Sequence, residues 1–551
     1  MTHTPLSKRA IAESLVAACR EAGTTHVFGV PGGGSNLDVV GAAVDDGLQF
    51  VLTHTETAAT IMAAVSAQLT GAPGLAVATR GPGAANAVNG VAQALLDRQA
   101  MILVTDCVSA VDRDRVSHQR LDQQVLMRSV SKGSVVLDGR DHTAAAQVVH
   151  VATGGRPGPV HVDIDPSASG ADTRIPDDPT TAEVGEIQQL VDAVRGARRP
   201  VVVVGGGAVV QQPATRQRIA TALHAMGASH HVPMLTTYQA RGMVPDDVSW
   251  AAGLATGATI ESPLLHEADL VIGVGLDPVE LIPAAWPYSA PVVLAGAWAI
   301  DDSTWFGDRL VTEVVADLTD LAQVVTDALT STWPEGSGER HRLRALAELR
   351  AARPESPTAV VPQDVVDVVA SVAPRGAIAT VDAGAHMLVA MPLWPTHEPC
   401  GMVISSGLAT MGFALPAAIA AALSRPGTPV VCFTGDGGLG MALAELETVA
   451  RLSLPIVVVV FDDALLSLIA AKQAPAGHGG AAAVEYRPID FAALARSCGM
   501  QAERVATADG LRDAAMRAFA SGVPVLLDVA VDPTAYGAVL DAVRGPRRTT
   551  G

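Results

Sequence analysis

Thr434-Gly435-Asp436-Gly437-Gly438 follows the apolar run Pro429-Val430-Val431-Cys432-Phe433, and a second apolar run, Ile456 to Phe461, ends in Asp462-Asp463. The pattern predicts two buried parallel strands, each delivering an acidic residue to its C-terminal end, with Asp463 lying 27 positions after Asp436. One Asp in a glycine turn is ordinary turn chemistry. A second carboxylate from the neighbouring strand makes the pair a candidate magnesium site, because magnesium takes one or two carboxylates and fills its octahedron with water and phosphate oxygens. Gly435, Gly437 and Gly438 would let backbone approach a phosphate closely. A helix predicted from Leu439 through Arg451 would aim its first amides at the same anion.

The N-terminal region repeats the arrangement. Val27-Phe28-Gly29-Val30 reads as a strand running into Pro31-Gly32-Gly33-Gly34, and Phe50-Val51-Leu52 leads into a small-residue helix that begins near Glu56. Glu56 sits among apolar neighbours, where a carboxylate needs a partner. It reads either as a helix-start residue facing the dipole or as a functional acid.

These segments together resemble the thiamin diphosphate-dependent enzymes. Their cofactor motif is Gly-Asp-Gly followed at a fixed interval by Asn-Asn; Gly435-Asp436-Gly437 with Asp462-Asp463 has that spacing, with Asp463 in place of the usual Asn. The resemblance implies magnesium bound by Asp436, the Asp463 side chain and the Leu465 carbonyl. It implies that Glu56 hydrogen-bonds the aminopyrimidine ring and drives the proton transfer that activates the cofactor. Asn86, downstream of Gly81-Pro82-Gly83, and Gly33 join the cofactor-binding set, with Arg80 standing where the family has a small residue. Gly407-Leu408-Ala409-Thr410-Met411-Gly412-Phe413 resembles the segment in which a large apolar residue, here Met411, wedges under the cofactor while the Ala409 carbonyl accepts from the ring. Ala385 and His386 would lie over the diphosphate beside Gly435, Gly437 and Gly438. Without the resemblance, Met411 reads as core filler and His386 as a surface or capping residue.

The acceptor side is read from Ser117-His118-Gln119-Arg120-Leu121-Asp122-Gln123. Gln119 lies thirteen residues before Lys132, as a Gln does in acetohydroxyacid synthases, while His118-Gln119 with Leu121-Asp122 is closer to carboxyethylarginine synthase. Gln119 and His118 are the residues implied to handle the acceptor; otherwise they are a polar surface loop. Acetohydroxyacid synthases select the acceptor with a Trp after the metal loop, where this chain has Lys472; that lysine suits an anionic group or is a solvated helix residue. The expected activity is an acetolactate synthase-like transferase, a carboligase that decarboxylates a 2-keto acid, pyruvate by family precedent, and passes the remaining unit to an acceptor. A thiamin diphosphate-dependent decarboxylase and a non-catalytic relative acting as a binding subunit are the alternatives.

Cofactors expected are thiamin diphosphate and Mg2+. FAD stays open, because acetohydroxyacid synthases bind it through a Phe-Asp-Asp-Arg segment and the equivalent stretch here, Gly273 to Trp286, reads Gly-Val-Gly-Leu-Asp277-Pro-Val-Glu280-Leu-Ile-Pro-Ala-Ala-Trp. The Gly205-Gly206-Gly207-Ala208 turn after Val201–Val204 is a weak nucleotide fingerprint.

With 49% apolar but only 3% aromatic residues, the cores must be built of Ala, Val and Leu, which suits parallel sheets covered on both faces. The expected fold is α/β with three doubly wound parallel-sheet domains: a pyrimidine-binding domain over 1–170, a middle domain over 187–335 and a diphosphate-binding domain over 360–551. Stretch 166–186 reads as a linker, and the charged stretch 333–363 as a helix and linker. A net charge of −19 without a basic block speaks against a nucleic-acid partner. Five scattered cysteines and no membrane-length apolar run lead to the expectation of a cytoplasmic protein without a membrane partner. The resemblance implies a homodimer or homotetramer, since family members build the site from two subunits.

Overall fold

A computed structural model describes residues 6–169, 173–175, 186–282, 285–300, 303–355, 357–476 and 480–545. Two compact units divide at Thr180/Thr181. Most of the expected linker at 166–186 lies outside the described residues.

Unit 1 holds one six-stranded sheet in the spatial order Gln49–Leu52, His26–Val30, Gly74–Ala78, Met101–Thr105, Pro159–Ile164, Gly133–Leu137, every pairing parallel. Strand order reverses between His26–Val30 and Gly74–Ala78, which places the Pro31 to Gly34 turn beside the Thr79 to Gly83 turn. The C-terminal ends of two such strands form the crevice where open α/β sheets bind ligands. Helix Glu56–Thr70 is buried on nearly every side, so its apolar residues surround the axis instead of forming a stripe. Small residues make that possible: a Cβ on Gly90 would lie 2.0 Å from Thr60 Oγ1, and one on Gly74 would lie 1.9 Å from the Ala63 carbonyl oxygen. Any side chain there would push the elements apart.

Unit 2 contains two more parallel six-stranded sheets. The second has the order Leu310–Val315, Val292–Gly296, Leu270–Val274, Pro200–Val204, Met234–Thr236, Ala251–Leu254; the third, Met402–Ile404, Ile378–Val381, Val430–Gly435, Ile456–Asp462, Val525–Ala530, Gln501–Val505. The valine runs at 201–204 and 457–460 are interior strands, as their hydrophobicity predicts. Helix Ser337–Ala351 occupies the charged stretch between the two sheets. Buried Arg241 donates twice to Asp246, at 3.0 and 2.7 Å, and once to the Trp394 carbonyl, while Asp246 also accepts from the Thr396 amide at 2.7 Å. That cluster ties the second sheet's layer to the third. No helix among the described residues is long and apolar enough to cross a membrane.

Candidate active site

In the third sheet the order reverses between Ile378–Val381 and Val430–Gly435. Asp382 and Asp436 therefore leave adjacent strands at the crevice, and Asp463 arrives one strand further on. A cavity of 350 Å³ opens there, and all the residues predicted from this half of the chain line it, from Ala385 and His386 through Ala409 and Met411 to Asp463 and Leu465.

Asp436 is 8% exposed. Its Oδ1 accepts the Gly437 amide at 2.6 Å, while Oδ2 makes no hydrogen bond. Burial pushes this carboxyl up to about 6, with Asp462 adding to the effect and the nearby amides of Gly437, Ala464 and Leu465 easing it. Burial likewise pushes Asp463 up to about 7, reinforced by Asp436 and Asp462, although Ser467 Oγ and the Leu465 amide donate to it. Two buried carboxylates that resist charging beside each other are what a divalent cation relieves. No cluster of three His, Cys, Asp or Glu side chains that could hold a metal occurs among the described residues; the pair leaves most of a magnesium octahedron to carbonyl, water and phosphate oxygens, as that ion prefers. The donor set and the orphaned Asp436 Oδ2 fit magnesium.

The glycines are required by close approach. A Cβ on Gly437 would meet Leu466 Cδ2 at 3.0 Å and Met411 Cε at 3.5 Å, and one on Gly438 would lie 2.7 Å from Asp382 Oδ2. The predicted helix differs from the observed one. Helix begins at Asp436, runs only to Ala442, and resumes over Glu445–Arg451. Gly437, Gly438 and Gly440 within one short stretch each cost about 1 kcal/mol of helix stability, so contact with an anion falls to the turn amides more than to a long helix dipole.

His386 is a core residue, not a surface one. Its ring stacks on Phe461 with centroids 5.3 Å apart, burial lowers it to about 4, and Nε2 has no hydrogen-bond partner. It is neutral at pH 7 and brings a ring nitrogen, not a charge, to the cavity. Ala409 holds a left-handed φ of 51° and Ala464 one of 55°. Such strain in non-glycine residues persists where surroundings enforce it, and here both residues sit in loops that frame the cavity.

Sequence reasoning passed over Asp382. This residue, 1% exposed, accepts the Gly412 amide at 2.9 Å and the Thr434 hydroxyl at 3.0 Å. It ties the Met411 loop to the strand that ends in Asp436. An Asp directly after a predicted strand, with Ala383-Gly384 following, was the available signal. Tyr536 and Arg544 also line the cavity and come from a helix near the C-terminus that carries no motif.

In unit 1, Glu56 is the first residue of its helix, and Thr55 caps that helix by accepting the Ala58 amide at 3.1 Å. The Glu56 carboxylate is 8% exposed and accepts from Asn86 Nδ2 at 3.2 Å. A Cβ on Gly83 would lie 3.0 Å from Glu56 Oε1, so the Gly-Pro-Gly turn is glycine where the acid needs room. Gly33 lies in the exposed turn after the first strand, and a Cβ there would touch nothing within 4 Å. Arg80 faces Asp106 at 3.5 Å.

His118 and Gln119 are both exposed. Gln119 has a left-handed φ of 55°, and its carbonyl packs where a Cβ on Gly81 would come within 2.6 Å. Buried Gln123 fixes that loop, its Nε2 lying 2.7 Å from Thr105 Oγ1, 2.8 Å from the Asp106 carbonyl and 2.7 Å from Asp163 Oδ1. A 450 Å³ cavity lined by Arg80, Gln119, Asp122, Gln123 and Asp163 lies alongside. Lys132 instead serves structure, donating from Nζ to the Val151 and Gly154 carbonyls.

Comparison with known proteins finds family matches in three stretches of the chain. Residues 9–126 match the N-terminal TPP binding domain of thiamine pyrophosphate enzymes, 187–294 the central domain and 382–529 the C-terminal TPP binding domain. The chain is 28% identical to an acetolactate synthase of Bacillus subtilis, over 96% of this chain and 94% of that one. It is 29% identical to the acetolactate synthase isozyme 2 large subunit of Escherichia coli, over 95% of each, and 27% identical to a probable acetolactate synthase large subunit of Methanocaldococcus jannaschii, over 95% and 92%.

Proposed function

The chain belongs to the thiamine pyrophosphate enzymes, and from that premise we propose that it is a carboligase of the acetolactate synthase kind, decarboxylating a 2-keto acid and joining the remaining unit to an acceptor. Similarity to acetolactate synthases across nearly the whole chain carries the choice of carboligase over decarboxylase. The cavity at the third sheet's crevice supports the placement of the cofactor's diphosphate end.

Thiamin diphosphate, when bound, supplies a nucleophilic carbon and an electron sink for decarboxylation. In this reading Asp436, Asp463 and the Leu465 carbonyl hold Mg2+ against the diphosphate, while Gly437 and Gly438 present backbone and His386 a ring nitrogen. Met411 and Ala409 set the cofactor's shape, and Glu56, oriented by Asn86, exchanges a proton at its carboxylate. Gln119 and His118 receive the acceptor. Pyruvate is the proposed donor, a homodimer or homotetramer the proposed assembly, and the cytoplasm the proposed location.

The decisive experiment incubates the protein with thiamin diphosphate, Mg2+ and pyruvate, with and without a panel of keto acid and aldehyde acceptors, and identifies products by mass spectrometry. Acetolactate or another ligated product supports the reading; acetaldehyde alone makes the protein a decarboxylase. Chelation followed by dialysis should abolish product formation, and added Mg2+ should restore it, because Asp436 and Asp463 would otherwise repel the diphosphate. Full activity after verified metal removal would exclude the metal role of the two carboxylates.

Lys472 and Arg544 line the same cavity, and neither forms an ion pair among the described residues. Burial, and then the nearby Arg544 charge, hold the Lys472 ammonium below the usual lysine range. Two such cations suit an acceptor that carries an anionic group. Lys472→Met is expected to raise KM for the accepted anionic acceptor by about tenfold, the effect of one charge-assisted contact, and to leave KM for a neutral aldehyde nearly unchanged. Equal changes for both would make Lys472 a bystander.

A further inference from the structure

The second sheet also reverses order, between Pro200–Val204 and Leu270–Val274. Its crevice is therefore bordered by the Gly205-Gly206-Gly207-Ala208 turn on one side and Gly275 on the other, the place where a doubly wound sheet receives a nucleotide's phosphates. For backbone to bind a phosphate, the amides of that turn must be free and the space above them open.

Neither condition is met. The Gly205 amide donates to the Val274 carbonyl at 3.0 Å, Gly207 to the Gly275 carbonyl at 2.9 Å, and Ala208 to the Gly205 carbonyl at 3.0 Å. The Gly206 amide donates to Glu280 Oε1 at 2.8 Å. Glu280, 4% exposed, is also held through Oε2 by the Thr237 hydroxyl. Backbone and side chains fill the remaining space: a Cβ on Gly205 would lie 2.4 Å from the Gly275 carbonyl oxygen, and one on Gly206 would lie 2.7 Å from Gln239 Oε1 and 3.1 Å from the Glu280 carboxyl carbon. The turn is glycine because the chain's own atoms press on it.

We propose that Glu280 is a built-in anion that takes the place of a dinucleotide's phosphate, so that the middle domain does not bind FAD or ADP. A diphosphate brought to this turn would have to displace a buried carboxylate from its two donors and face its negative charge. Glu280 comes from the stretch that stands here where acetohydroxyacid synthases have Phe-Asp-Asp-Arg. This inference concerns the middle domain alone and stands whether or not carboligation is found.

The test is hydrogen exchange on the full-length protein over the peptide covering 201–212, with and without FAD and, separately, ADP, together with the visible flavin spectrum of the purified protein. The wild type is expected to carry no flavin and to show the same slow exchange in all three conditions, while Glu280→Ala should exchange faster at Gly206. Stoichiometric flavin in the wild type, or slowing of exchange by FAD or ADP, would overturn the proposal. So would unchanged exchange in Glu280→Ala. Should that variant not fold, Glu280→Gln retains an acceptor for Gly206 and loses the charge; it is expected to keep slow exchange without ligand, and the wild-type measurements with FAD and ADP still decide the proposal.

Discussion

Glu56→Gln is expected to lower turnover by about 10²- to 10⁴-fold, the range lost when a positioned acid–base group is removed, with melting behaviour close to wild type. The two effects separate because the carboxylate's chemical and structural duties are distinct. Thr55, not Glu56, caps the helix, and Gln keeps the volume that fits against Gly83. Asn86 Nδ2 can still donate, to the amide oxygen instead of Oε2. What Gln cannot do is accept or release a proton near neutral pH. Single-turnover kinetics with pyruvate, a thermal melt and a thiamin diphosphate titration check the prediction together. Turnover near wild type in a folded, cofactor-binding variant would remove Glu56 from the catalytic set.

Asp246→Ala is expected to have the largest effect on stability, about 3–5 kcal/mol, as when one partner of a buried ion pair is removed. Arg241, 2% exposed, would remain charged in the interior with only the Trp394 carbonyl as a hydrogen-bond acceptor among the contacts described above, and the Thr396 amide would lose its acceptor. The damage falls between the second and third sheets, where a Cβ on Gly242 would sit 1.8 Å from the Glu398 carbonyl oxygen. The double variant Arg241→Met/Asp246→Leu is expected to recover part of the loss, since apolar packing often replaces a buried pair without penalty. Chemical denaturation of wild type and both variants measures this. A loss below about 1 kcal/mol in Asp246→Ala would mean the pair is open to water and behaves as a surface bridge.

Strands were the most legible part of the fold. Val201–Val204 and Val457–Val460 are central because a strand covered on both faces reads as a continuous apolar run, and that signal is local. Helix boundaries were less legible. Leu439 to Arg451 reads as one helix, yet helix starts at Asp436 and breaks between Ala442 and Glu445, and the close approach of Gly437 to Met411 and of Gly438 to Asp382 outweighs propensity. His386 shows the same limit. Nothing in Asp382-Ala383-Gly384-Ala385-His386 distinguishes a capping histidine from one stacked on Phe461, a residue 75 positions away.

By itself, the sequence determined the three α/β blocks, the acidic residues at the strand ends and the glycines between them, because spacing along the chain dictates which groups a strand delivers to its C-terminal end. Only the tertiary structure decided which of those glycine turns stands open. Gly435-Asp436-Gly437-Gly438 and Gly205-Gly206-Gly207-Ala208 look alike as strings, but one borders a cavity with an unsatisfied carboxylate oxygen and the other is closed by Glu280 and Gly275. The difference arises from residues some 70 positions away in sequence that pack against the turn. A local pattern cannot encode the occupancy of a crevice whose second wall comes from another strand.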